Sequence, residues 1–128
     1  MPNLFICTGG NGVKIIKKIP NLIVIPQITF YLSQNEDGSS LLINKLKFHY
    51  DYMQHGNGME GNIWELYKDG KLLDRGYFYG TNAYQKENFT SDEYEINSNN
   101  VYFRLGNPNH NERGTLNVKG LFFEIKRN

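Results

Sequence analysis

Lys45-Leu46-Lys47-Phe48-His49-Tyr50-Asp51-Tyr52 alternates without a break. In an extended chain Leu46, Phe48, Tyr50 and Tyr52 fall on one face, and Lys45, Lys47, His49 and Asp51 on the other. That period of two is the signature of a strand with one dry side and one wet side. The stretch sits inside a longer extended segment, predicted over Leu41 to Met53, with turn-rich sequence on both sides. Gln34-Asn35-Glu36-Asp37-Gly38-Ser39 precedes it as a loop, and Gln54 to Asn62 follows as a second.

Working outward, the same alternation recurs. Gln27 to Leu32 turns Ile28, Phe30 and Leu32 inward, with Thr29 and Tyr31 outward. Val101 to Leu105 places Val101, Phe103 and Leu105 inward. Leu4 to Thr8 and Val13 to Ile19 read as strands around Gly9-Gly10-Asn11-Gly12. Proline has no amide to give a ladder, so Leu22 to Ile25 before Pro26 is expected at a sheet edge or a bulge. In the last strand Leu116 and Val118 share a phase that Leu121, Phe123 and Ile125 do not, which predicts a bulge at Lys119-Gly120. Ile63 to Tyr79 reads as a hairpin around Asp69-Gly70. Avoiding like charges across the strands selects a three-residue loop, with Leu66 opposite Leu72 and Glu65 opposite Leu73. Gly80 to Asn100 is expected to hold at most one short strand, Glu93 to Ile96.

Composition agrees. The chain has one alanine, 17 asparagines and 13 glycines, and 14% of it is aromatic. Such a chain lacks the best helix former and is rich in residues that suit pleated surfaces and tight turns. Its 128 residues fit one domain spanning 1–128. A chain of this length buries enough surface to fold without disulfides or metal. The expectation is an all-β, two-sheet antiparallel β-sandwich of jelly-roll type. Phe30, Phe48, Trp64, Phe78, Phe103 and Phe123 would meet between the sheets, each worth on the order of 1.5–3 kcal/mol on burial.

The carboxy-terminal third resembles the end of galactose-binding-like jelly rolls, the fold of many carbohydrate-binding modules. The residues that carry the likeness are Val101-Tyr102-Phe103-Arg104-Leu105-Gly106-Asn107-Pro108-Asn109 and then Gly114 to Ile125, about 25 residues of strand pattern. The calcium site common in that family has no equivalent cluster of acids here. The resemblance implies the fold; its known ligands are sugars.

Several functions are disfavoured. With 14 Lys plus Arg against 13 Asp plus Glu, the net charge of +1 lacks the basic footprint of a nucleic-acid binder. No apolar run approaches the ~20 residues of a membrane-spanning helix, and no polybasic anchor is present. The single Cys7 makes neither an intrachain disulfide nor a cysteine-rich zinc site. It reads as a strand thiol rather than a nucleophile. Gly9-Gly10-Asn11-Gly12 lacks the rest of a phosphate-binding motif. His49 and Asp51 share a face, yet a zinc site needs a third protein ligand; they read as a solvated pair. Glu60, Glu65, Asp74, Glu87, Asp92, Glu93 and Glu95 show no pairing that marks a glycosidase. Asn88-Phe89-Thr90 matches a glycosylation acceptor, which matters only in a secreted chain. No catalytic residue, metal or cofactor is assigned.

One group remains. Tyr77 and Tyr79 should face opposite to Phe78, and Asn82 and Tyr84 follow closely. Outward rings with nearby amides suit protein contacts, where tyrosine is enriched, or sugars, whose C–H faces stack on rings. Met1 to Ile6 lacks the pattern of a secretory signal. The expectation is therefore a non-catalytic binding or assembly protein, cytoplasmic at synthesis. It would be a small structural or accessory component of the kind found in virus or phage particles, whose partners are other protein subunits, itself included. Glycan recognition through Tyr77, Tyr79, Asn82 and Tyr84 is the alternative, and inhibition of a host protein a further one.

Overall fold

The computed structural model describes residues 6–8, 14–24, 27–54, 63–77, 85–106 and 116–127. Among these residues there is no helix, and two antiparallel sheets pack together as a β-sandwich. The larger sheet contains β1 (Ile6–Thr8), β2 (Lys14–Lys18), β3 (Leu22–Val24), β5 (Ile43–Gln54), β8 (Gln85–Thr90), β9 (Tyr94–Ser98) and β11 (Leu116–Lys126). The smaller contains β4 (Gln27–Tyr31), β6 (Ile63–Lys68), β7 (Lys71–Tyr77) and β10 (Val101–Gly106), in the order β4-β10-β6-β7.

Two long strands, β5 and β11, lie side by side at the centre of the larger sheet. Each outer flank is covered by two short strands in succession. On β11, β2 pairs with 122–126 and β3 with 116–118. On β5, β8 pairs with 49–54, while β9 covers the start of the strand from Ile43 to Leu46. Both interruptions are stitched to the long strand. The Ile19 amide donates to the Leu121 carbonyl at 2.9 Å, and the Ser91 amide to the Phe48 carbonyl at 2.8 Å. Ser91 Oγ accepts from the Phe48 amide at 2.9 Å, so the buried backbone groups there are satisfied. The chain leaves the larger sheet after β3, which pairs only with β11 among the described strands, as an edge strand would, and enters the smaller at β4; Pro26 itself lies outside the described residues.

The bulge expected at Lys119-Gly120 is present. The register of β11 on β5 shifts between Lys119 and Phe122, and Gly120 has φ of 65°. The extra residue reverses the phase, so Leu116 and Val118 before it and Leu121, Phe123 and Ile125 after it are all buried.

Two expectations are corrected. Residues 85–90 form β8, a full strand on the flank of β5, where the polar sequence suggested only loop. The hairpin also has a different register. Asp69 and Gly70 have φ of 53° and 79°, a two-residue turn of the primed type, with Lys68 opposite Lys71. Asp69 is held there because its amide donates to the Asn100 carbonyl at 2.9 Å and its Oδ1 accepts from Ser98 Oγ at 2.5 Å. The bulge lies further in, where Leu66 pairs with Asp74 and Tyr67 with Leu72, leaving Leu73 as the extra residue. Glu65 therefore faces Arg75, not Leu73. The bulge keeps Glu65 from facing Asp74, but Lys68 lies directly opposite Lys71, so avoidance of like charges does not select the turn.

The core is aromatic at its centre. Phe48 of the larger sheet meets Trp64 and Phe103 of the smaller edge-on, with ring centroids at 4.8 and 4.9 Å, and Phe103 meets Phe123 at 5.0 Å. These are favoured geometries for aromatic pairs. Phe30, Phe48, Trp64, Phe103 and Phe123 are all buried as expected; Phe78 lies outside the described residues. At one open side Tyr94 clasps the two sheets, its hydroxyl donating to Asp74 Oδ2 at 2.6 Å.

Candidate functional site

The register of the smaller sheet places its outward side chains in rows that cross all four strands. Tyr31, Tyr102, Tyr67 and Leu72 form one row, because Tyr102 pairs with both Tyr31 and Tyr67, and Tyr67 with Leu72. Thr29, Arg104, Glu65 and Arg75 form the next. Tyr67 and Tyr102 stack nearly parallel, 4.7 Å apart with 13° between planes. Tyr31 stands tilted at 49° and 6.0 Å from Tyr102. The Arg104 guanidinium lies over both stacked rings, 5.2 Å from the Tyr67 centroid and 5.8 Å from that of Tyr102.

Glu65 holds this face together. It is only 4% exposed, an unusual place for a carboxylate unless it is paired. Its Oε2 accepts from Arg75 Nη2 at 3.2 Å and from the Tyr67 hydroxyl at 3.2 Å, and its Oε1 is 4.0 Å from Arg104 Nη1. Burial, then the adjacent Glu65 charge and hydrogen bond, push the Tyr67 hydroxyl above its ordinary pKa. Arg104 Nε is buried without a hydrogen-bond partner among the described residues, so this face carries an unspent donor.

Of the residues singled out from the sequence, Tyr77 lies at the end of β7, exposed at 54% and outward as expected. It is tied to the same face, since Arg75 donates to its hydroxyl as well as to Glu65, and both hold Arg75 above its ordinary pKa. Tyr79, Asn82 and Tyr84 lie outside the described residues. Leu72 and Leu73 are also exposed on β7, which pairs only with β6 among the described strands.

The sequence reading passed over Tyr67, Tyr102 and Arg104. Alternation around Phe103 already turns Tyr102 and Arg104 outward, as it turns Tyr31 outward around Phe30. What it does not show is that β4, β10 and β6 are neighbours, and the row exists only through that adjacency.

The outer face of the larger sheet differs. Lys14 pairs with Glu124 at 3.2 Å, Lys126 with Glu93 at 2.9 Å and Lys45 with Glu95 at 3.5 Å. His49 stacks on Phe122 at 5.1 Å, its Nδ1 lies 2.8 Å from Thr90 Oγ1, and its Nε2 is 3.6 Å from Asp51 Oδ1. No group of three or more His, Cys, Asp or Glu gathers in metal-binding geometry among the described residues.

A third feature lies at one end of the sandwich. The turn after β4 and the β9–β10 connection enclose a cleft of about 250 Å³, lined by Tyr31, Ser33, Gln34, Ser40, Asn99 and Asn100. Under it sits Lys17, 1% exposed, with Nζ donating to the Leu32 carbonyl at 2.8 Å and the Gln34 carbonyl at 2.6 Å.

No family model matches the chain, and no curated protein matches it. Among solved structures it is similar to part of the crystal structure of dimeric latent PorU from Porphyromonas gingivalis, at a TM-score of 0.52 and 15% identity. The match covers 83% of this chain and 10% of that one, so the chain spans about a tenth of that protein's length. At such identity the likeness concerns architecture alone, and it agrees with a β-sandwich.

Proposed function

We propose that this chain is a non-catalytic contact module that packs the outer face of its four-stranded sheet against other protein subunits, in the first instance further copies of itself. The observation that carries the reading is the cross-strand row Tyr31–Tyr102–Tyr67–Leu72, fixed by the Glu65 ion-pair network. Tyrosine and arginine are the residue types enriched where proteins meet. Tyr67 and Tyr102 spend ring faces on each other, which suits a packed protein surface better than a platform for a flat sugar ring. Exposed Leu72, Leu73 and Tyr77 extend the apolar area to the edge strand. A galactose-binding-like jelly roll remains our finer reading of the sandwich, supported by the strand pattern from Val101 to Ile125. A place in a virus or phage particle rests on composition alone.

Size-exclusion chromatography with light scattering tests the proposal. Wild-type protein is expected to gain mass with concentration, and Tyr102→Lys to remain monomeric with an unchanged melting temperature. A wild type that stays monomeric at every concentration contradicts self-association; a Tyr102→Lys variant that associates like wild type removes this face from the contact.

A further inference from the structure

The edge of the four-stranded sheet differs from its face. β7 pairs only with β6 among the described strands, and every residue of it but Gly76 is exposed. A strand at an edge keeps a row of backbone donors and acceptors for another chain. Proteins usually blunt such an edge with charge, yet β7 carries Leu72 and Leu73 at 43% and 42% exposed. At its hairpin end Lys68, Asp69, Lys71, Leu72 and Leu73 line a cleft of about 340 Å³.

Two like charges are held together in that cleft. Lys68 stands directly opposite Lys71, a pairing that costs stability. The turn keeps them there, because Asp69 and Gly70 have positive φ and the Asp69 amide is tied to the Asn100 carbonyl at 2.9 Å. Asp69 Oδ1 is engaged by Ser98 Oγ at 2.5 Å, so the lining holds two ammonium groups and one carboxylate already in use. A local rule broken by the tertiary structure is a mark of a functional site. Strand phase separates these lysines from the tyrosine row: Tyr67 and Leu72 turn to the outer face, while Lys68 and Lys71 take the opposite phase, with Val101. The leucines adjoin the face already described, but the lysines decide the partner. A free anion would leave both leucines in water, and a basic strand would add a third like charge. An extended segment alternating acidic and apolar residues meets every feature, since successive side chains along a strand turn to opposite faces. An acid opposite Lys71 lies beside the lysine pair, and the next residue, opposite Leu72, covers the leucines.

We infer that β7 accepts an extended acidic segment of another protein as an added strand, with carboxylates at Lys68 and Lys71 and apolar side chains on Leu72 and Leu73. Main-chain bonds to the edge supply affinity and the alternating side chains supply specificity. The test is amide NMR of the isotopically labelled whole chain, titrated with a blocked hexapeptide of alternating leucine and glutamate and with its leucine–lysine counterpart. The glutamate peptide is expected to shift the amides from Lys68 to Tyr77 saturably, and the lysine peptide to leave them in place. In the double variant Lys68→Glu, Lys71→Glu the preference should reverse. The glutamate peptide is then held at least about fivefold more weakly, the measure of one repulsive cross-strand pair. The variant's own amide spectrum reports whether it is folded. Three results would overturn the inference: no saturable shift with the glutamate peptide, equal shifts with both peptides, or a folded double variant that binds the glutamate peptide as tightly as wild type. Light scattering of the double variant is expected to match wild type, whereas Tyr102→Lys should lose association and keep the glutamate peptide, so the two sites fail separately.

Discussion

The two outer faces of this sandwich are built from the same kind of strand and differ in what crosses them. On the seven-stranded side, cross-strand neighbours are lysine and glutamate pairs, such as Lys14–Glu124, in water. On the four-stranded side they are tyrosines, arginines and one buried carboxylate, Glu65. Charges held in water contribute little to stability, since the median exposed ion pair is worth ~0–1 kcal/mol. A carboxylate taken out of water stays only if several donors hold it. The first face can lose a pair and remain a solvated surface; the second is organised around Glu65 and has little tolerance for its loss.

The two sheets should also answer differently to the same small insertion. A Cβ at Gly76, on the inner side of β7, would stand 2.2 Å from Trp64 Nε1. Trp64 is wedged between Phe48 and the stacked Phe103, at 4.8 and 5.9 Å, and has nowhere to go. Gly76→Ala is expected to cost about 3 kcal/mol, the upper end of overpacking, read as a lowered urea midpoint. A Cβ at Gly120 in the larger sheet would meet Asp51 Oδ2 at 2.9 Å, the end of a side chain that can swing away. Gly120→Ala should cost about 1 kcal/mol, mainly from its positive φ. Equal losses at the two sites would erase the contrast.

Glu65→Gln comes next, with an expected loss of roughly 2 kcal/mol from weakened charge-assisted hydrogen bonds to Arg75 and Tyr67 and the lost ion pair with Arg104. Its counterpart Glu124→Gln on the wet face should change stability by less than about 0.5 kcal/mol. Chemical denaturation of both variants in the same buffer compares the faces directly.

Alkaline pH sharpens the picture with a smaller effect. Burial, and then the hydrogen bond to Asp74, raise the Tyr94 pKa; burial and Glu65 raise that of Tyr67. A phenol whose folded pKa exceeds its unfolded value contributes stability that is whole below about pH 10 and is lost as pH rises toward the folded pKa. The denaturation midpoint should therefore fall above about pH 10, and less steeply in Tyr94→Phe, which itself should cost about 1 kcal/mol at neutral pH. Absorbance at the tyrosinate band should show these two rings ionising late.

What could be read from the sequence follows the range of the forces involved. Strand phase is local, so the inward set around Phe48 and Phe103 and the reversal at Gly120 were legible. The position of the hairpin bulge was not, because Ser98 and Asn100, distant in sequence, hold Asp69 in the two-residue turn. Strand β8 was missed because a flank strand needs no clean hydrophobic face of its own when β5 supplies the ladder. Lys17 broke the pattern for a similar reason: a lysine continues the buried row of Ile15 and Ile19 because two carbonyls from the next turn wait for it. The tyrosine row and the amide cleft both depend on which strands and turns are neighbours, which no window along the chain contains.

The central claim is that contact is made through the tyrosine face and not the lysine–glutamate face. Amide NMR spectra of the isotopically labelled chain, recorded over a dilution series, test it most directly. Concentration-dependent shifts confined to β4, β10, β6 and β7 are the predicted result. Shifts confined to β2, β5 and β11, or spectra that do not change with concentration, would contradict it.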